Sequence, residues 1–115
     1  MPFVYKSQAA AIKPPPMDES GNASGGDVVS TSDSGSKNPI SAGFFRIEKG
    51  KSCVFAYEFD KAKHFIEGQC VVQDETGATV AAKPGGVMLF TKGSTISFST
   101  ETYALAFFCH QRAKL

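Results

Sequence analysis

The stretch Lys83-Pro84-Gly85-Gly86-Val87-Met88-Leu89-Phe90-Thr91-Lys92-Gly93 decides the fold of this chain. It contains one short apolar run between two turns. In the first turn the ring of Pro84 fixes its φ angle, and Gly85 can adopt a positive φ that other residues disfavour. From Gly43 onward the same texture repeats, because turn residues separate short apolar or alternating runs. No segment shows an apolar period of 3.6 residues over a helical length. The pattern predicts an all-β fold.

The repeated runs predict about seven short antiparallel strands, which is typical of a sandwich or a barrel. Many of the 10 Phe lie on these runs and would fill a narrow interior, and the chain has no Trp. The predicted strands are Phe44–Glu48, Ser52–Phe59, His64–Gln73, Thr79–Ala82, Val87–Thr91, Thr95–Ser99 and Tyr103–His110.

The segment before residue 43 has a different composition. Residues 17–42 are rich in Ser, Gly, Asp and Asn, so we do not expect them to bury enough apolar area to offset their ordering entropy. We predict a flexible loop there, an extended arm over residues 1–16 with an edge strand at Pro2–Tyr5, and a barrel domain over residues 43–115. The arm would pack either on its own barrel or on a neighbouring subunit.

Length, charge and cysteine content narrow the class of protein. A chain of 115 residues has room for one domain, and its net charge of +1 gives no field that would attract nucleic acid or an anionic membrane. It has no apolar run of membrane-spanning length and no secretory signal pattern. Cys53, Cys70 and Cys109 fit free thiols in a reducing compartment better than a disulfide framework. We predict a cytoplasmic protein that binds neither nucleic acid nor membrane.

The glycine spacing of the deciding stretch resembles the second conserved motif of the cupin superfamily. Gly85 and Gly93 hold its glycine positions, while Thr91, Ile96 and Thr100 stand where cupins have proline, histidine and asparagine. The resemblance covers about residues 43–110 and implies a cupin jelly-roll β-barrel.

The first cupin motif carries two histidines and a glutamate that hold a metal. Counting back from Gly68, Lys61 stands in the glutamate position, and Phe55 and Tyr57 stand in the histidine positions. With Ile96 in the last histidine position, these residues offer one phenol, whereas a divalent ion needs several N or O ligands. We therefore predict no metal and no other cofactor.

A closer resemblance is carried by Ser41–Gly50, Tyr57–Asp60 and Phe90–Ile96, which are similar to small cupins related to the ethanolamine-utilisation protein Q. This resemblance implies a small-molecule ligand and a homodimer. It also suggests an acetate-kinase-like activity. In that subgroup we expect an acidic residue where this chain has Lys61, and the chain shows no nucleotide signature.

Strand alternation predicts which side chains share the interior. If the motif positions face inward, the interior is lined by Phe55, Tyr57, Lys61, Lys63, Ile96 and Phe98. Lysine neighbours favour a phenolate and lower each other's pKa, so Tyr57 and Lys61 are candidate acid–base groups near neutral pH. The alternative is that both lysines extend into water.

Two further residues are candidates for the site. His64 is either a packed or interface histidine or a proton-transfer group, and it completes the predicted catalytic set of Tyr57, Lys61 and His64. Tyr103 alternates with Leu105 and is either a pocket hydroxyl or part of the opposite face. The predicted ligand-binding residues are Phe55, Lys63, Ile96, Phe98 and Tyr103.

These residues support two classes of function. The first is a metal-independent enzyme that holds a small metabolite and promotes isomerisation, cyclisation, dehydration or lyase chemistry by proton transfer. The second is a non-catalytic ligand-binding or assembly module. The acetate-kinase-like activity ranks third, because Lys61 replaces the acidic residue that it would need.

Overall fold

The computed structural model describes residues 3–11, 16 and 22–112, and strands dominate this part of the chain. Its helical elements are two 3-10 turns, Ala9–Ala11 and Ser32–Ser34. The strands are β1 Ala23–Ser30, β2 Ser41–Glu48, β3 Cys53–Ala56, β4 Lys61–Gly68, β5 Cys70–Gln73, β6 Thr79–Ala82, β7 Val87–Phe90, β8 Thr95–Ser99 and β9 Tyr103–His110.

The strands form two antiparallel sheets. One has the order β1-β2-β9-β4-β7, and the other has the order β3-β8-β5-β6. Their inner faces meet in an aromatic core, where the ring centroids of Phe45 in the first sheet and Phe98 in the second lie 5.2 Å apart. The all-β jelly-roll prediction is confirmed, although the two sheets are not joined into a closed barrel.

Strand positions were predicted best where apolar and polar residues alternate. Thr79–Ala82, Thr95–Ser99 and Tyr103–His110 coincide with the predicted runs. The predicted run His64–Gln73 is instead two strands in different sheets, with the change at Gly68, whose φ is +75°. A side chain there would also collide with the backbone carbonyl of Tyr103, so glycine permits both the turn and the close approach.

The prediction of a flexible loop over residues 17–42 is wrong for residues 23–30 and for the start of β2 at Ser41. Residues 23–30 form β1, which pairs with β2 at the edge of the five-stranded sheet. The error lies in requiring apolar burial, because an edge strand is held mainly by backbone hydrogen bonds to its neighbour. Small side chains suit this position, and Ala23 is the residue of β1 that enters the core.

Gly43 on β2 lets β1 lie close to its partner. A Cβ atom at this position would overlap the backbone carbonyl of Gly26 on β1. Immediately beyond, the register shifts between Asp27 and Val29, which marks a bulge in the strand. The bulge lies beside Asp27, a residue that enters the site described below.

The N-terminal arm differs from its prediction. Residues 3–6 form no strand, and the side chains of Phe3 and Tyr5 are exposed. Pro2 lies outside the described residues. Pro16 forms an isolated bridge with Ser24 of β1, so this point of the arm pairs with its own domain. No helix in the described ranges is long and apolar enough to span a membrane.

Candidate functional site

Lys63 lies in the centre of the core with its amine among aromatic rings. Alternation along β4 turns Lys61, Lys63 and Phe65 inward. The Nζ atom of Lys63 lies 3.7 Å from the ring centroid of Phe45 and 4.1 Å from that of Phe98. Only 2% of Lys63 is exposed to solvent, so the predicted alternative that it extends into water is wrong.

Lys61 lies nearer to one end of the sandwich, also among aromatic rings. Its Nζ atom lies 4.4 Å from the ring centroid of Phe108, 5.3 Å from that of Tyr57 and 5.5 Å from that of Phe59. The residue is 7% exposed. Phe59, on the link between β3 and β4, is partly buried and separates this amine from solvent.

Burial lowers the pKa of both amines. Desolvation, together with the nearby Arg112 guanidinium, lowers the pKa of Lys61 to about 8. Desolvation, together with Lys61, holds the pKa of Lys63 well below the usual value for lysine. A lowered pKa increases the fraction of the amine that is neutral, and the neutral form is both a proton acceptor and a nucleophile.

Tyr57 does not behave as the sequence suggested. We expected the lysines to favour its phenolate, but burial raises the pKa of Tyr57 well above its usual range, with Cys53 acting in the same direction. The physical reason is desolvation, because burial removes the water that would have stabilised the charged phenolate. Tyr57 stacks on Phe90 at 5.4 Å and retains a hydroxyl proton.

The structure brings most of the predicted interior residues together. Tyr57, Ile96 and Phe98 are buried in the same core as the two lysines, and Phe55 packs against that core with partial exposure. Their contacts join the two sheets around the amines, because Phe98 touches Lys63 and Tyr57 touches Lys61.

The structure places two predicted site residues elsewhere. His64 is exposed on the outer face, because it follows Lys63 on a strand whose side chains alternate. Tyr103 also lies on the outer face, where its hydroxyl donates a hydrogen bond of 3.1 Å to Glu67 and the Arg46 guanidinium lies 4.7 Å from its ring centroid. Neither side chain reaches the interior amines.

Sequence reasoning missed a buried pair of Asp27 and His110. Asp27 Oδ1 lies 3.2 Å from His110 Nε2, and both side chains are almost fully buried. The contact has the distance of an ion pair but not the alignment of a hydrogen bond, so neither ring nitrogen has a hydrogen-bond partner among the described residues. Desolvation and the nearby Lys61 lower the pKa of His110 to about 4, so the imidazole is neutral at pH 7.

The pair adjoins Lys61, because Lys61 and His110 are register partners across β4 and β9. Alternation along β9 was a usable signal for His110, since it puts Ala106, Phe108 and His110 on one face. Asp27 gave no such signal, because it lies in the Ser- and Gly-rich segment that was predicted to be a loop.

The residues at the cupin ligand positions do not fit a metal ion. Phe55, Tyr57, Lys61 and Ile96 supply a protonated phenol and an amine, with neither imidazole nor carboxylate. Over the described ranges, no group of three His, Cys, Asp or Glu residues is placed to hold a metal.

Comparison with known proteins agrees with this geometry. The sequence profile of the family described as ethanolamine utilisation protein EutQ matches residues 14–113. The chain belongs to the EutQ family. A search of curated proteins found no match.

Solved structures show the same fold. A structure of ethanolamine utilization protein Q from Salmonella typhimurium LT2 is 30% identical to this EutQ-family chain, with a TM-score of 0.67 over 80% of this chain and 71% of that one. The Clostridium difficile EutQ protein is 20% identical, with a TM-score of 0.68 over 81% and 70%. The Cnp3 cupin domain of Schizosaccharomyces pombe is 14% identical, with a TM-score of 0.64 over 78% and 64%, and it shares the fold.

Proposed function

We propose that this EutQ-family chain binds a small organic metabolite between its two sheets and promotes metal-independent acid–base chemistry on it. The observation that carries the proposal is the environment of Lys61, whose amine lies among three aromatic rings with its pKa lowered to about 8. Proton transfer is most efficient when the pKa of the catalytic group lies near the working pH.

In this proposal Lys61 transfers the proton and its neighbours hold the ligand. At pH 7 an amine with this pKa is neutral in roughly one molecule in ten and protonated in the rest, so Lys61 can accept or donate a proton. Tyr57 supplies a hydroxyl donor, and the amine of Lys63 supplies a second polar group deeper in the core. Isomerisation, dehydration, cyclisation and lyase reactions all use such a transfer.

The ligand would enter past Phe59. This ring lies over His110 with centroids 4.9 Å apart, and the Arg112 guanidinium carbon lies 4.6 Å from the Phe59 centroid. Phe59 belongs to the short link between β3 and β4 rather than to a strand, so a side-chain rotation of this ring opens the end of the sandwich without breaking a sheet.

Proton exchange on a panel of simple C–H acids tests this function. Small oxo and hydroxy acids are incubated with the protein in D2O, and loss of C–H signals is followed by NMR. We expect catalysed exchange of at least one compound, rising with pH around a midpoint near 8. Lys61→Met should lower the exchange rate by about a hundredfold or more. The exposed Lys83→Met is the matched control, and an unchanged rate in Lys61→Met would contradict the proposal.

As a second candidate, we propose that a second copy of this chain docks on the free edge of β7. This strand pairs with β4 on one side and is the edge strand of its sheet, and it exposes 72% of Val87 and 70% of Leu89. A strand edge can pair with its own copy about a twofold axis, which extends the sheet and covers such side chains. The resulting homodimer serves the assembly function and leaves the interior site intact.

Light scattering after gel filtration tests the homodimer. Wild-type protein should elute as a dimer at micromolar concentration, and Val87→Lys combined with Leu89→Lys should elute as a monomer, because like charges would face each other across the twofold axis. Val54→Lys, at an exposed position on the other sheet, should remain dimeric. A monomeric wild type would show that the β7 edge is not a self-association surface.

We also propose that the protein works in the cytoplasm. Cys53 and Cys70 are buried and Cys109 is partly buried, and burial raises the pKa of Cys70 to about 11. Protonated, buried thiols are unreactive packing groups and suit a reducing compartment.

A further inference from the structure

The amine of Lys61 has features of a nucleophile as well as of a base. Among the described residues the close contacts between acidic and basic side chains are Arg46–Glu48 and Asp27–His110, and Lys61 takes part in neither. Its neighbours within 5.5 Å include three aromatic rings. An amine desolvated beside another cationic group keeps a free lone pair, which is the setting in which lysines attack carbonyl carbon atoms.

His110 stands beside this amine with unused hydrogen-bonding capacity. Its side chain is 3% exposed, and neither ring nitrogen has a hydrogen-bond partner among the described residues. A neutral imidazole offers one donor and one acceptor. Leaving both unsatisfied in a buried site costs free energy, which a polar ligand at this position would recover.

The local charge favours a ligand that carries a carboxylate. The charged groups that act on the Lys61 amine are the Arg112 guanidinium and the Asp27 carboxylate. Asp27 is already in contact with His110. Arg112 lies over Phe59 at the open end of the site, where its fork of donors is available to a planar anion.

We propose that Lys61 forms an imine with a small oxo acid whose carboxylate binds Arg112. The lone pair of Nζ attacks the carbonyl carbon, and the oxygen takes up a proton to give a carbinolamine. His110, a neutral imidazole at pH 7, takes the remaining proton from the nitrogen and passes it to the departing hydroxyl, and one water leaves as the C=N bond forms. The net change is amine plus carbonyl to imine plus water, with no oxidant or reductant. This inference rests on the proposed function, since it needs the same ligand position.

Reductive trapping with glyoxylate tests the proposal. Protein at pH 7 is incubated with a low concentration of glyoxylate in the presence of sodium cyanoborohydride. The cyanoborohydride reduces an imine to a stable carboxymethyl-lysine. Peptide mass analysis then locates the label. An amine with a pKa near 8 is neutral roughly a hundred times more often at pH 7 than an ordinary lysine, so we expect one carboxymethyl group on Lys61 well before any exposed lysine reacts.

Three variants separate the parts of the proposal. Lys61→Met should lose the early label, while Lys83→Met should keep it. Arg112→Gln should lower the ratio of labelling by glyoxylate to labelling by propanal, an aldehyde without a carboxylate, by about tenfold. The ratio is the correct measure, because loss of the guanidinium also raises the pKa of Lys61 and slows both reactions. Thermal unfolding curves confirm that each variant is folded.

Each outcome of these experiments either supports or overturns the imine proposal. Early labelling of Lys61, with a glyoxylate-to-propanal ratio that falls in Arg112→Gln, supports the imine and the oxo-acid class. Early labelling of Lys63 or of exposed lysines instead would overturn it. If glyoxylate perturbs the NMR signals of the protein but leaves no adduct, the imine is wrong and the proposed proton transfer stands. If glyoxylate does not bind and no C–H acid exchanges, both proposals fail.

Discussion

Lys63→Met is expected to raise the free energy of unfolding at pH 7 by about 2 kcal/mol, since replacing a buried charged group by an apolar one of similar volume is often stabilising. Lys63 is almost completely inaccessible, and its amine lies between the rings of Phe45 and Phe98. Folding must remove a proton from this amine or bury the charge, and both cost free energy. Methionine fills the same space without that cost.

The lowered pKa of Lys63 also fixes the direction in which the free energy of unfolding changes with pH. The pKa of Lys63 is lower in the folded state than in the unfolded state, so the unfolded chain binds more protons and the free energy of unfolding rises with pH until it passes the pKa of the unfolded lysine. Lys61 adds a rise between about pH 8 and 10.5. Cys70 opposes this above pH 9, because its pKa is raised from 9.0 to about 11.

Denaturant unfolding at several pH values measures both effects. Wild-type protein should gain stability from pH 6 to pH 9, and Lys63→Met should start higher and change less over that range. Lys83→Met, at an exposed position, should differ from wild type by under about 0.5 kcal/mol. A less stable Lys63→Met with an unchanged dependence on pH would show that the lysine contributes favourably to the core.

Gly43→Ala is expected to lower the free energy of unfolding by about 3 kcal/mol, the upper part of the range for overpacking. The new Cβ atom would overlap the backbone carbonyl of Gly26, and a backbone group cannot move aside by changing a rotamer. β1 must therefore shift away from β2, and the contact of Asp27 with His110 should be lost.

Hydrogen exchange and NMR follow this change. Amides of β1 should lose protection in Gly43→Ala, while those of β8 and β9 keep it. Asp27 raises the pKa of His110, so its displacement should lower that pKa further. Gly77→Ala is the matched control, because its φ of +92° costs about 1 kcal/mol but its Cβ atom meets open space. Equal losses in the two variants would mean that Gly43 matters only for conformation.

The sequence predicted the sheet core well because two signals agreed there. Along Thr95–Ser99 and Tyr103–His110, alternation and flanking turns gave the strand bounds, but the inward face of Tyr103–His110 was left open. For Lys61 and Lys63 the motif positions and alternation offered the inward position as one of two alternatives, and lysine composition alone favours the surface. β1 was missed because edge pairing depends on backbone hydrogen bonds, which composition does not record.

The electrostatics of the site could be predicted only in part. The lowering of the lysine pKa values follows from inward alternation and mutual repulsion, both of which are visible in the sequence. The pKa of Tyr57 was predicted in the wrong direction, because the depth of burial of the phenol, which the sequence does not give, sets its desolvation. The Asp27–His110 contact depends on a bulge and a close backbone approach, which are properties of the folded chain.

That contact also has a consequence for the order of events during synthesis. Among the described strands, Asp27 lies on the first in chain order and His110 ends the last. The proposed acid–base site therefore needs both β1 and β9, whatever other sheet pairs have already formed. Translation must release β9 before Lys61 acquires Phe108 and His110 as neighbours, so we expect the proposed activity only after β9 has been made.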